Sequence, residues 1–150
     1  LLIATNELIK QGFCVFPYCT DDLVICKKLL EIGCKVLMPG IAPIGSGQGI
    51  LNSYNLLILR ERFKDAIIII DAGIGKPSDA TALMEMGFDG ILLNSAIAKS
   101  ANPINMAEAF NYAVKAGRLA HLSGIIPKRN VSHPSTPLID TPFWHQISNK

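Results

Sequence analysis

The sequence has little charge, no long apolar run and no cluster of basic residues. Charged residues make up 17% of the 150 positions, and the formal net charge is +2. The longest basic stretches are the pairs Lys27-Lys28 and Lys128-Arg129. Such pairs are typical of a solvated surface, so no nucleic-acid partner is predicted. Every apolar run is shorter than the roughly 18 residues that a membrane span requires, so no membrane association is predicted either.

Cysteines are few, and their spacing matches neither a redox pair nor a zinc site. The four lie in the first quarter of the chain, at Cys14, Cys19, Cys26 and Cys34. This pattern favours buried free thiols in a reducing compartment over a disulfide or a metal site, and we expect no cofactor. Because no signal peptide is recognisable, the expected compartment is the cytoplasm, or the plastid stroma if the protein is organelle-encoded.

The N-terminus lacks a methionine, and Leu1-Leu2-Ile3 begin in the middle of an apolar helical pattern. This start predicts an internal cut, with processing as the alternative. The chain is long enough for one domain with a substantial core, because chains of this size bury about 68–70% of their unfolded surface.

Apolar periodicity divides the sequence into four strand–helix units. The predicted strands are residues 13–16, 35–38, 66–70 and 90–93. The predicted helices are residues 1–11, 21–33, 52–63, 77–86, 103–115 and 118–122. Short apolar strands that alternate with amphipathic helices predict a parallel sheet with helical cover. Residues 126–150 are rich in proline and serine and are predicted to form a loosely held tail.

Two α/β architectures fit this alternation. An open doubly wound sheet of four strands suits the length, whereas a complete (β/α)8 barrel typically needs about 250 residues. The loops favour the barrel, because glycine-rich or polar segments follow three strands, at residues 42–49, 71–77 and 94–95. Barrel enzymes build a phosphate site at this rim, after strands 7 and 8. We therefore predict the C-terminal part of a (β/α)8 TIM barrel, with residues 1–125 supplying strands 5–8.

The candidate site residues lie in these rim loops. Glycine lets the backbone approach a phosphate, and successive amides at a helix N-terminus supply the positive potential that the phosphate needs. Each feature alone has a simpler explanation. Asp71 could cap the turn after its strand, and Asn94-Ser95 could start a helix. The glycines in residues 45–49 could form an ordinary turn, but the occurrence of three such loops on one rim favours a ligand site.

Five segments match one known enzyme family in order and spacing. They are residues 36–39 (VLMP), 42–50 (APIGSGQGI), 71–75 (DAGIG), 77–80 (PSDA) and 92–98 (LLNSAIA). The stretch APIGSGQG is the most specific, whereas DAGIG occurs more widely among phosphate-binding barrels. Between Gly12 and about Pro127, the chain resembles thiazole synthase of the thiamin pathway.

The resemblance implies a transferase that forms the thiazole phosphate of thiamin through a Schiff base. In this family a lysine forms an imine with 1-deoxy-D-xylulose 5-phosphate. Sulfur arrives as a thiocarboxylate on the C-terminus of a small sulfur-carrier protein, and dehydroglycine completes the ring. The family's substrate-binding positions correspond to Gly45, Ala72, Gly73, Asn94 and Ser95. Its acid/base aspartate corresponds to Asp71, since a carboxylate at a strand end can shuttle protons beside a sugar phosphate. The resemblance also implies a homotetramer for the full-length protein.

The chain departs from the family pattern at several positions. The imine-forming lysine belongs to an earlier strand, before the segment that corresponds to Leu1, and no lysine here replaces it. Lys76 lies where we expect a small polar residue; it could contact the phosphate, lie exposed or, as a weaker hypothesis, act as the nucleophile. Gly40-Ile41 differ from the usual local order, and the segment between Asn52 and Asp71 is one residue longer.

These departures lead us to expect that the chain alone binds the sugar phosphate weakly and is inactive. Half a barrel would also expose two sheet edges, which predicts poor stability or self-association. Two alternatives to thiazole synthase are open at this point. One is another sugar-phosphate-binding TIM-barrel enzyme, and the other is a non-catalytic α/β binding module.

Overall fold

Helices and strands alternate along the chain in the computed structural model, which describes residues 1–132 and 135. The helices, numbered in chain order, are α1 (Leu2–Lys10), α2 (Leu23–Glu31), α3 (Ser53–Arg62), α4 (Pro77–Glu85), α5 (Ser95–Ala98) and α6 (Pro103–Ser123). The strands are β1 (Tyr18–Cys19), β2 (Val36–Pro39), β3 (Ile67–Ile70) and β4 (Gly90–Ile91). The predicted division into four strand–helix units therefore matches the structure.

The four strands form one parallel sheet in the order β1-β2-β3-β4. Connections between parallel strands through a helix are right-handed, so units added in one direction place their helices on the same face of the sheet. A doubly wound sheet instead reverses its strand order, which puts helices on both faces. The observed order agrees with the predicted barrel and not with the doubly wound alternative.

The core lies between the helices and one face of this sheet. In β3, Ile68 and Ile70 are fully buried, whereas Ile67 is 49% exposed. Side chains alternate between the two faces of a strand, so the buried and exposed positions belong to opposite faces. One face of the sheet packs against helices, and we call the other the open face.

Residues 13–16 do not form the predicted buried strand. The first strand is β1, which begins at Tyr18, and the side chains of Phe13 and Phe16 are 60% and 46% exposed. Phe13 is still bound to the end of α1, because its amide donates to the carbonyl of Leu8 at 3.1 Å. An apolar run predicts burial, but it does not specify which of its residues reach the neighbouring strand.

Side-chain caps and prolines fix the starts of the helices. Asp22, Asn52 and Asn102 precede α2, α3 and α6, and each accepts a hydrogen bond from the amide three residues further on, at 2.8, 3.0 and 3.1 Å. Pro77 and Pro103 occupy the first turns of α4 and α6. These local signals hold the strand-to-helix turns in place, and the turns carry the candidate site.

The helices predicted at residues 103–115 and 118–122 are a single helix, α6. Gly117 lies inside it and is buried against α4. A Cβ atom at this position would lie 2.5 Å from the carbonyl oxygen of Thr81 and 2.7 Å from the Cβ of Met84. Gly117 is therefore the point of close approach between two helices, whereas its position in the sequence predicted a helix end.

The cysteines are free thiols. Cys19, Cys26 and Cys34 are buried, as predicted, but Cys14 is exposed because it belongs to the segment that stays off the sheet. The thiol of Cys34 donates to the carbonyl of Val36 at 3.0 Å, and burial raises its pKa above the ordinary value.

Within residues 1–132 and 135, no group of three or more histidine, cysteine or acidic residues is placed to hold a metal ion. Over the same residues, no helix combines the length and apolarity needed to cross a membrane. Of the predicted tail, residues 126–132 follow α6 without helix or strand. Most of the remainder lies outside the described residues, so the division at residue 125 stays a prediction.

Candidate functional site

The loops after β2, β3 and β4 meet at a cavity of about 120 Å³ at the carboxyl ends of the strands. All six residues predicted for the site line it, together with four apolar neighbours. The lining residues are Ile44, Gly45, Asp71, Ala72, Gly73, Ile74, Leu92, Leu93, Asn94 and Ser95. Asp71 is the only charged residue among them. The structure thus brings together positions that are up to fifty residues apart in the sequence.

Asp71 is held at the end of β3 by its backbone and its carboxylate. Its amide donates to the carbonyl of Pro39 at 3.0 Å, and it forms an isolated parallel bridge with Gly40. Its Oδ1 atom accepts a hydrogen bond from the amide of Ala72 at 2.6 Å. This contact orients the carboxylate, and the second oxygen is available to a ligand in the cavity. Asp71 therefore does both: it caps the turn after its strand, as considered from the sequence, and it lines the cavity.

The two residues after Asp71 both have left-handed backbone conformations. The φ angles of Ala72 and Gly73 are 60° and 85°. For a residue other than glycine this conformation costs about 1–3 kcal/mol, and it persists only where the surroundings enforce it. Here the Ala72 carbonyl accepts from the amide of Ile41 at 3.3 Å, and the Gly73 carbonyl accepts from the amide of Gly49 at 2.8 Å. The loop after β3 is therefore bonded to the loop after β2 on both sides of its turn.

The same two loops touch so closely that side chains are excluded from their contact. A Cβ atom on Gly73 would overlap Ala42 and would lie 2.6 Å from its backbone nitrogen. A Cβ atom on Gly75 would overlap the carbonyl of Gly47. The glycine-rich composition of this rim thus has a packing reason, in addition to the access that it gives to a ligand.

Asp79 holds the loop after β3 through hydrogen bonds, and it was not predicted as a site residue. Its side chain is almost completely buried, with 8% exposure. Its Oδ2 atom accepts hydrogen bonds from the amides of Gly75 and Lys76, at 3.0 and 3.1 Å. Its Oδ1 atom lies 2.9 Å from the position that a Cβ on Gly49 would take. The available signal was an acidic residue in the first turn after a glycine-rich loop, which supplies one half of a capping box; the N-cap residue, Lys76, has no side-chain acceptor for the other half.

Asn94 and Ser95 start a short helix and also line the cavity. The carbonyl of Asn94 accepts from the amide of Ile97 at 2.9 Å, and Ser95 is the first residue of α5. A Cβ on Gly45 would lie 3.7 Å from the Oγ of Ser95, so the loops after β2 and β4 are in contact. Lys76, by contrast, is exposed and does not line the cavity.

A larger hollow, of about 670 Å³, lies at the amino ends of the strands, but Arg60, Asp89 and Arg118 in its lining are bonded to the protein itself. Arg60 forms an ion pair of 2.9 Å with Asp89 and donates to three backbone carbonyls. Asp89 also accepts from the amide of Ile68 at 2.8 Å, and Arg118 donates to the carbonyl of Phe88 at 3.0 Å. These contacts close the lower end of the sheet and indicate a structural role.

The comparisons with known proteins agree on one family. The sequence model of the family described as "Thiazole biosynthesis protein ThiG" matches residues 1–137. A thiazole synthase of Ralstonia nicotianae is 54% identical over 97% of this chain, and one of Cupriavidus necator is 53% identical over 97%. The chain covers 53% and 52% of these two proteins, so it spans about half the length of the curated relatives that it matches.

Solved structures give the same fold. The crystal structure of the Amycolatopsis orientalis BexX/CysO complex superposes with a TM-score of 0.81 and 31% identity, over 87% of this chain and 53% of that one. A native KDPGal structure, only 17% identical, matches with a TM-score of 0.60 over 79% of this chain and 56% of that one, which shows the fold alone. These neighbours are TIM-barrel-like, which confirms the predicted fold class. The chain belongs to the thiazole biosynthesis protein ThiG family.

Proposed function

We propose that this chain carries the sugar-phosphate site and the acid/base carboxylate of a thiazole synthase. The proposed reaction forms the thiazole phosphate of thiamin from 1-deoxy-D-xylulose 5-phosphate, dehydroglycine and a sulfur-carrier thiocarboxylate. One observation carries this proposal: the positions that the family resemblance selects, from Gly45 to Ser95, line one cavity. The names of the relatives, which are thiazole synthases, support the same activity.

The phosphate is proposed to bind between the loops that follow β3 and β4. The amides of Gly75 and Lys76 already donate to Asp79, so the start of α4 is satisfied within the protein. Gly73, Asn94 and Ser95 line the cavity, and their amides are proposed to donate to the phosphate. Amide groups of such concave turns attract anions without a charged side chain, which fits a cavity whose lining has no cation.

Asp71 is proposed to transfer protons to and from the sugar part of the substrate. Enolisation and dehydration of a sugar imine require a base and an acid beside the carbon chain. The bond from the Ala72 amide fixes one carboxylate oxygen and leaves the other to reach the ligand. Because Asp71 and Gly73 line the same cavity, a bound phosphate would place the sugar next to the carboxylate.

The Schiff-base lysine is proposed to come from a segment that precedes the one corresponding to Leu1. In the part of the chain that the structure describes, no lysine lines the cavity, and Lys76 lies outside it. The chain alone is therefore expected to bind the sugar phosphate and to form no imine.

The proposed sulfur donor is a small carrier protein with a C-terminal thiocarboxylate. The solved structure with a TM-score of 0.81 is a complex of BexX with CysO, which supports a carrier partner for this family member. A homotetramer of the full-length protein remains part of the same proposal.

Titration of the ¹⁵N-labelled chain tests this function. We expect 1-deoxy-D-xylulose 5-phosphate to shift the amide signals of Gly73 and Ser95, and the unphosphorylated sugar to shift neither. Ser95→Glu should abolish the shifts, because a carboxylate would repel the phosphate. Ser78→Glu is the matched control, since Ser78 is exposed on α4 and outside the cavity. Shifts confined to the surroundings of Arg118, at the other end of the sheet, would contradict the proposal.

Borohydride reduction tests the missing lysine. The chain mixed with the sugar phosphate and borohydride should keep its mass, because no lysine of the described residues faces the cavity. A reduced adduct on Lys76 would show that the nucleophile belongs to this chain.

A further inference from the structure

Tyr18 is directed to the open face of the sheet, at the strand next to the candidate site. In the pairing of β1 with β2, Tyr18 lies opposite Met38, and Cys19 lies opposite Pro39. Cys19 and Pro39 are buried on the helical side, so the alternation of side chains sends Tyr18 to the other face. Its side chain is 41% exposed, so the aromatic ring is accessible to a ligand.

The ring of Tyr18 extends across the end of β2 towards the site. A Cβ atom on Gly40 would lie 2.9 Å from the Oη of Tyr18 and 3.1 Å from its Cε2. The ring therefore occupies the space that a side chain at Gly40 would fill. Gly40 is paired with Asp71 on the next strand. Since neighbouring strands are about 4.8 Å apart, the hydroxyl lies over a residue that is one strand away from Asp71.

The rim thus has a fixed order of chemical groups. Tyr18 comes from β1 and covers Gly40 after β2, Asp71 follows β3, and Asn94-Ser95 follow β4. A phosphate between the last two loops lies on one side of Asp71, and Tyr18 lies on the other. The carbon chain of a sugar phosphate that reaches Asp71 would continue towards Tyr18.

We propose that Tyr18 is a substrate-binding residue of this site, whose hydroxyl hydrogen-bonds an oxygen of the sugar at the end remote from the phosphate. The phenol can donate to a carbonyl oxygen or accept from a sugar hydroxyl. Gly40 is the position that leaves room for the ring. This inference rests on the proposed function, because it takes the orientation of the ligand from the phosphate loops.

Calorimetric titration of two ligands tests the inference in the 150-residue chain. Tyr18→Phe should weaken binding of 1-deoxy-D-xylulose 5-phosphate by about 3- to 10-fold, the usual effect of losing one hydrogen bond. Binding of inorganic phosphate should not change, since it does not reach β1. Tyr112→Phe is the control, because Tyr112 is exposed on α6 and its hydroxyl donates to Glu108 at 2.8 Å; it should leave both affinities unchanged.

Gly40→Ala gives a second test that keeps the hydroxyl but moves the ring. We expect a similar loss for the sugar phosphate, and no further loss when Tyr18→Phe is added, because both changes remove the same contact. If the unmodified chain binds the sugar phosphate and both variants bind it equally well, Tyr18 is not a ligand contact and the proposed function stands. If the unmodified chain binds neither ligand, both proposals are wrong.

Discussion

At the scale of single residues, the candidate site depends on the backbone turn at Gly73. Two different constraints require a glycine at this position. The first constraint is conformational, because its φ angle of 85° belongs to the left-handed region. The second is steric, because a Cβ atom would overlap Ala42. Gly12 has nearly the same φ angle, 89°, but nothing lies within 4 Å of the position that its Cβ would take. Substitution of Gly12 therefore measures the cost of backbone strain alone, whereas substitution of Gly73 adds the cost of steric overlap.

Gly73→Ala should reduce the free energy of unfolding by more than Gly12→Ala. Both changes incur about 1–2 kcal/mol for alanine in a left-handed conformation. Gly73→Ala adds the cost of overpacking, typically about 1–3 kcal/mol. Urea denaturation of the two variants measures the difference. Equal losses of unfolding free energy in the two variants would show that Ala42 moves away from the new methyl group without cost.

The predictability of the site also differs from residue to residue. Asp71 and Gly73 were predictable because their signal is local, a buried strand followed at once by a carboxylate and glycines. Asp79 had a local signal as an acidic residue in the first turn of α4, but its bonds to the loop could not be predicted, because the folded loop sets the direction of the amides that it accepts from. Tyr18 was not predictable, because its closeness to the site depends on the register between β1 and β2.

At the scale of elements, the contact between α4 and α6 explains where sequence reasoning about helices failed. A glycine usually signals a helix end, and the predicted helices at residues 103–115 and 118–122 are separated at Gly117. Its partners, Thr81 and Met84, are more than thirty residues away in the sequence, so local propensity contains no sign of them. The same limitation applies to residues 13–16, where the pairing of β1 with β2 starts later than the apolar run. The strands and caps with local signals, such as β3 and Asn52, were predicted correctly.

Gly117→Ala should destabilise the protein, although alanine is the better helix former by about 1 kcal/mol. Overpacking against Thr81 and Met84 should outweigh this gain, at about 1–3 kcal/mol. Ala116→Gly is the control, because Ala116 is exposed on the same helix and should lose only the propensity term. Thermal unfolding followed by circular dichroism compares them. A melting temperature of Gly117→Ala above that of the unmodified chain would mean that α4 and α6 can move apart without cost.

At the scale of the whole molecule, the open face and the outer strands leave apolar surface and strand edges exposed in the described structure. β1 and β4 form the edges of the sheet. On the open face, Ile67, Leu92 and Tyr18 are 49%, 52% and 41% exposed. Exposed apolar surface next to free strand edges promotes association between molecules.

The isolated chain should therefore associate as its concentration rises. Ile67→Glu should shift sedimentation velocity profiles towards the monomer, because it places a charge on the open face. Ile3→Glu is the control, since Ile3 is 88% exposed on α1, away from the sheet. A monomer at all concentrations, or an equal effect of the two variants, would contradict association through this face.

The bonds that shape the candidate pocket fall within one uninterrupted stretch, from Pro39 to Ile97. Genetic exchange outside that stretch would keep these bonds together, and with them the proposed phosphate site, beside a different neighbouring sequence. The lining of the candidate pocket is thus inherited as one continuous segment of the chain.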